Sequence, residues 1–211
     1  MERPAHEELK MNVAAARAEI DFTAARKAMI DSQLRVSGVN EEPVLAAMAS
    51  VPREEHVPEA ARDFAYIDRA VALGDGRFLA APLFYGRLLG EAQMARDDRV
   101  LVVDAGSGYL TALARTLADT VESVDPAEAV AKSRKRGDFS VLLIDGAVEQ
   151  VPASLAARLA DGARVVTGLV SRGVTRFAYG RKAGGEVALL PLAEMGIPIL
   201  AEFAVPKGWS F

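Results

Sequence analysis

Gly106, Ser107 and Gly108 are the residues of this chain best placed to do chemistry. They follow Val100-Leu101-Val102-Val103-Asp104-Ala105, and Tyr109 opens an alanine-rich stretch behind them. An apolar, β-branched run reads as a buried parallel strand, and a glycine bend after it brings the chain to the C-terminal edge of a sheet. Two glycines let the backbone approach a ligand closely, and the start of the next helix offers free N–H donors. A plain strand-to-helix turn has the same spacing, so the motif alone leaves both readings open, and with them a binder of some other nucleotide. Other constellations are poorer. His6 and His56 are the only histidines, and neither has a partner at ligand spacing, so no metal site is expected. Ser107 has no histidine at a recognisable spacing, which disfavours a hydrolase triad. Lys132, Arg134, Lys135 and Arg136 fall at the end of a predicted helix, where the dipole favours cations, and a solvated helix end is a simpler reading than a phosphate patch.

The elements that must position the glycine bend read as an α/β fold. Residues 1–10 are polar and read as a flexible N-terminus. Residues 11–98 read as a helical and loop region. A helix is expected over 12–36 with Gly38 as its stop, a second is capped by Asn40 with Pro43 in its first turn, and a third spans 58–66. Ala70 to Leu73 lead into the turn Gly74-Asp75-Gly76, and Pro82 starts another helix. From Arg99 the pattern alternates. Strands are expected at 99–103, 120–124, 140–144 and 163–170, with helices at 109–118, 127–136 and 152–160. The end reads as strands at 175–181, 187–190 and 197–205, with a hairpin turn at Gly184-Gly185. Alternation implies a mostly parallel sheet with a terminal antiparallel hairpin, and 99–211 is its core within one integrated domain. Trp209 and Phe211 are expected to close the sheet edge.

Composition sets the limits. The 211 residues are 51% hydrophobic and 26% charged, enough for a sizeable core. A net charge of −4 gives no attraction to nucleic acid or anionic lipid. There are no cysteines, which fits a reducing compartment. The acidic start is unlike a signal peptide, and no apolar run is long enough to span a membrane. A cytoplasmic protein without membrane or nucleic-acid partners is expected.

Three blocks resemble the protein-L-isoaspartate (D-aspartate) O-methyltransferases. The first is Val51 to Pro58 followed by Ala65 to Arg69. The second is Val100 to Tyr109, and the third is Phe139 to Leu159 with Ile144-Asp145-Gly146-Ala147-Val148-Glu149-Gln150-Val151-Pro152. The similarity runs from about residue 24 to the C-terminus. It implies a Rossmann-like, S-adenosylmethionine-dependent methyltransferase sheet with a terminal antiparallel hairpin. It also implies a cofactor over Asp104, Gly106, Ser107, Gly108 and Tyr109, with Asp125 holding the ribose hydroxyls. The residues of Asp125-Pro126 equally suit a turn or a helix N-cap. The implied substrate loop runs through Gly74, Gly76, Arg77 and Pro82, with Ala80 in the place of the family's serine. The implied partners are proteins or peptides carrying isoaspartyl residues, for a monomer or homodimer.

The chain departs from the family in four places. Val102 stands where the family has an acid, and Asp104 where it has the first glycine of the motif. Only thirteen residues, Pro126 to Asp138, lie between Asp125 and Phe139. A βαβ crossover takes roughly 30 residues, so one strand–helix unit and the adenine wall are expected to be missing. Phe78-Leu79-Ala80-Ala81 is apolar where the family's loop is polar. The expectation is a family member with impaired methyl transfer, the alternative an inactive one that serves as a binding or scaffold protein.

Overall fold

The computed structural model describes residues 20–205. The expectations for residues 1–10, His6, the start of the first helix, Trp209 and Phe211 lie outside that range. Asp21 caps α1 (Phe22–Met29), its carboxylate accepting the Ala24 N–H at 3.0 Å. The helix continues as a π turn (Ile30–Leu34) and a 3-10 turn (Arg35–Ser37), and Gly38 stops it at φ +86°. Helix α2 (Glu42–Ser50) is entered from Glu41 without a side-chain cap, so the expected Asn40 cap is not made. Instead the Asn40 N–H donates to the Glu41 carboxylate at 3.1 Å. Two 3-10 stretches follow, Arg53–His56 and Glu59–Phe64, the second in place of an α-helix over 58–66. Strands β1 (Val71–Gly74) and β2 (Arg77–Leu79) form a small antiparallel hairpin around Asp75, and Pro82 opens α3 (Pro82–Ala92).

The alternating part then builds the main sheet. It comprises β3 (Arg99–Val103), α4 (Tyr109–Leu117), β4 (Thr120–Val124) and α5 (Pro126–Val130). It continues with β5 (Phe139–Val148), α6 (Ala153–Ala156), β6 (Leu159–Ser171), β7 (Val174–Ala183) and β8 (Glu186–Glu194). The strand order is β4-β3-β5-β6-β7-β8, parallel from β4 to β6 and antiparallel beyond. Gly184 and Gly185, at φ +59° and +89°, make the tight turn between β7 and β8. The short link has its expected consequence: among the described residues no strand lies outside β4.

Three expected elements of this part are corrected. The helix over 152–160 is cut to Ala153–Ala156, because β6 already begins at Leu159 beside Phe139. The helix over 127–136 ends at Val130, because Ala131 turns extended at ψ 142°. Residues 131–138 are exposed and carry no apolar side chain beyond Ala131 to bury, so nothing holds them helical. The basic cluster therefore lies on an irregular link rather than a helix end. The strand over 197–205 is a single bridge, Ile199 to Ala147, followed by a 3-10 turn at Ala201–Phe203. Pro198 lacks the N–H that a ladder needs.

The central strands β3 and β5 are buried on both faces, which is why β3 reads as an unbroken apolar run. Val100, Val102, Val141, Leu143 and Val166 pack against the side carrying α1 to α4. Leu101, Val103, Leu142, Ile144 and Val165 pack with Ala129, Leu155, Leu200 and Phe203 on the other side. Val102 is completely buried, so the position for which the resemblance implies an acid serves the core here. No helix among the described residues is long and apolar enough to cross a membrane.

Candidate functional site

The site starts where β3 ends. Residue 104 leaves the strand with its N–H on the Val124 carbonyl at 2.9 Å, and the chain bends through Gly106 and Gly108 at φ +105° and +71°. Both angles lie in the left-handed region, where a side chain is strained. A Cβ added at Gly106 would meet nothing within 4 Å, so the loop faces open space there. Three of its amide donors, however, are engaged. One oxygen of Asp104 accepts the N–H of Gly106 at 2.8 Å and that of Gly108 at 2.9 Å. The other accepts the Thr111 hydroxyl at 2.7 Å. Ser107 Oγ accepts the Tyr109 N–H at 3.1 Å, and the Ser107 carbonyl lies 2.8 Å from His56 Nδ1. His56 also meets Tyr109 edge-on at 5.3 Å between ring centres.

A buried polar chamber lies beside the loop. Strands β3 and β5 pair with Val103 opposite Ile144, so the next residues, Asp104 just past the end of β3 and Asp145 within β5, follow neighbouring positions of the sheet. Asp145 is 1% exposed. One of its oxygens accepts the Tyr85 hydroxyl at 2.7 Å, and the other makes no well-formed hydrogen bond. Burial pushes its carboxyl up to about 7, and the Asp104 charge adds to the shift. Burial and then Asp145 hold the Tyr85 hydroxyl well above its usual value. The Arg53 guanidinium is fully buried. It donates to the carbonyls of Ala65 and Ala80, each at 2.5 Å, and stacks over the rings of Tyr85 and Tyr109 at 5.5 and 5.2 Å. Burial raises Tyr109 to about 12 against the opposing pull of Arg53, and no well-formed hydrogen bond reaches its hydroxyl. Behind Arg53, Arg26 pairs with Glu54 at 3.0 Å and donates to the Tyr66 hydroxyl at 2.7 Å.

The structure brings Asp104, Gly106, Ser107, Gly108 and Tyr109 together with Ala80, through Arg53 and Tyr85. Ala80 contributes only backbone: its carbonyl serves Arg53, and its N–H donates to the Tyr85 hydroxyl at 3.2 Å. Asp125 is exposed and accepts the Glu128 N–H at 2.8 Å, capping α5. Gly74 and Gly76 form the separate β1–β2 turn, Arg77 pairs with Glu202, and Pro82 sits in the first turn of α3. Sequence reasoning missed Arg53, Tyr85 and Asp145. One signal was available for Asp145. Ile144-Asp145-Gly146 repeats the pattern of an apolar strand ending in an acid that Val103-Asp104 sets.

A parallel sheet with helices on both faces, a glycine loop after β3 and a terminal antiparallel hairpin define the methyltransferase fold. The sequence model of protein-L-isoaspartate(D-aspartate) O-methyltransferase (PCMT) matches residues 24–136, and the chain belongs to that family. The protein-L-isoaspartate O-methyltransferase of Roseiflexus sp. (strain RS-1) is 34% identical over 171 residues, 70% of this chain and 78% of that one. The Koribacter versatilis (strain Ellin345) protein of the same name is 33% identical over 190 residues, 79% and 86% of the two chains. A crystal structure from Plasmodium falciparum, described as a protein-L-isoaspartate O-methyltransferase with S-adenosyl-L-homocysteine, aligns at TM-score 0.67. It is 16% identical and covers 87% of this chain and 100% of that one, a likeness of fold.

Proposed function

We propose that this chain carries out the reaction its family is named for. S-adenosylmethionine would supply the methyl group, and the carboxylate of an isoaspartyl residue in a damaged protein or peptide would accept it, at reduced efficiency. The observation that supports this reading is the glycine loop. Its two left-handed glycines and the open space over Gly106 suit the cofactor in shape. The charge at the loop is less favourable, which fits the reduced efficiency. The amides of Gly106 and Gly108 already hold the Asp104 carboxylate. Asp125 is turned to its own helix, and no strand beyond β4 offers a wall for the adenine among the described residues.

An ionised carboxylate needs no proton removed before it is methylated, so the protein's task is to position the two reactants. Arg53 and Tyr85 fix the backbone of Ala80, which keeps the implied substrate loop in register with the glycine loop. Ala80 itself offers no hydroxyl to an acceptor. The test is transfer of labelled methyl from S-adenosylmethionine to an isoaspartyl peptide. Slow transfer above the protein-free rate is expected, and transfer at the protein-free rate overturns the reading. A second reading, a catalytically inactive member that binds or scaffolds, is favoured by the Asp104 contacts, and measurable transfer disposes of it.

A further inference from the structure

We propose that Asp104 is a built-in occupant of the glycine loop that turns the loop away from the carboxylate end of the methyl donor and toward its nucleoside end. The inference rests on the cofactor reading above. Free amides at a helix start attract anions. The one anionic group of S-adenosylmethionine is its carboxylate, so that group competes with Asp104 for the same donors. Asp104 is well held. It takes two amides and the Thr111 hydroxyl, and Thr111 lies within 3.2 Å of Ser123 Oγ. A second carboxylate arriving there meets a like charge, and the amides of Gly106 and Gly108 are already taken. The buried guanidinium of Arg53 gives Nε and Nη2 to the carbonyls of Ala65 and Ala80, and only its Nη1 is without a well-formed hydrogen bond. Asp145, one strand over, is a further acid. The space over Gly106 remains open, so a ligand body without a carboxylate still has room.

The contrast is measurable with two probes that share adenosine and sulfur. S-adenosylhomocysteine carries the amino-acid end, and 5′-methylthioadenosine lacks it. Titration calorimetry on the full chain is expected to show 5′-methylthioadenosine bound at least as tightly as S-adenosylhomocysteine. Asp104→Gly frees the amides and is expected to tighten S-adenosylhomocysteine about tenfold, as a pair of charge-assisted hydrogen bonds would, with 5′-methylthioadenosine unchanged. Asp104→Asn keeps the acceptor without the charge and should fall between. If Asp104→Gly does not fold, the wild-type ratio and Asp104→Asn decide. S-adenosylhomocysteine bound about tenfold more tightly than 5′-methylthioadenosine by the wild type, or a ratio that the variants leave unmoved, overturns the occupant and leaves the proposed reaction standing. S-adenosylhomocysteine bound only by Asp104→Gly supports the occupant and overturns methyl transfer by the wild type. Binding of neither probe by any of the three proteins overturns both.

Discussion

Two polar regions meet at the C-terminal edge of β3 and β5, and they are satisfied in opposite ways. The glycine loop is closed from within: a carboxylate two to seven residues away in sequence serves two amides and a hydroxyl. The chamber next to it is assembled from afar. Arg53, Ala65, Ala80, Tyr85, Tyr109 and Asp145 come from six separate stretches, and the chamber leaves Arg53 Nη1, the Tyr109 hydroxyl and one Asp145 oxygen without a well-formed bond. Local satisfaction makes a loop cheap to keep and hard to open. Long-range satisfaction makes a chamber whose charges depend on one another.

Substitutions can break that contrast. Arg53→Met should have the largest effect. It removes a buried cation that anchors two carbonyls and faces Asp145, and urea unfolding should record a loss of about 3–5 kcal/mol. A loss below about 1 kcal/mol would mean that the chamber repacks without its charge.

Asp145→Asn should act through pH. The folded carboxyl is raised to about 7, so the folded state holds a proton that the unfolded chain releases near pH 4. Its contribution is fully present below pH 4 and is lost as pH rises through about 7. The wild type should therefore lose up to roughly 4 kcal/mol relative to Asp145→Asn between those limits. Parallel stability profiles for the two proteins would place an ordinary carboxylate at 145.

The loop should respond more mildly. Asp104→Ala exposes its amides to water rather than burying them unpaired, and should cost about 1–2 kcal/mol in the same unfolding assay. A cost equal to that of Arg53→Met would erase the distinction between the regions. Asp125→Ala should cost least, about 0.5–1 kcal/mol, because it removes one exposed cap from a five-residue helix.

What was readable in the sequence follows the same divide. The run Val100–Val103 and the bend at Gly106 and Gly108 carry their own instructions, so their strand, turn and helix emerge as expected. The thirteen residues after Asp125 are too few for another strand–helix unit, and chain length alone makes that visible. Strand β5 runs past the expected residue 144 to Val148 because Ala147 and Val148 find partners in Gly168 and Leu169, which are distant in sequence. Gly146 is needed there at φ +156°, since a Cβ would come within 2.7 Å of Leu200 Cγ. The chamber was hidden for the same reason: nothing near Arg53 announces that Ala80 and Ala65 will supply its acceptors. Asp104 was visible as a misplaced acid, but that it would bond its own loop required the folded backbone.

The bare flank of β4 carries one more consequence. This outermost strand is five residues long and largely exposed, and its Glu122 pairs with Arg158. Short, charged borders resist docking with other chains, so losing a neighbour there creates little hazard of aggregation. A sheet of this kind tolerates trimming from its rim inward. Removal of an outer unit leaves every remaining register intact, whereas the same excision at β5 would sever the parallel and antiparallel halves.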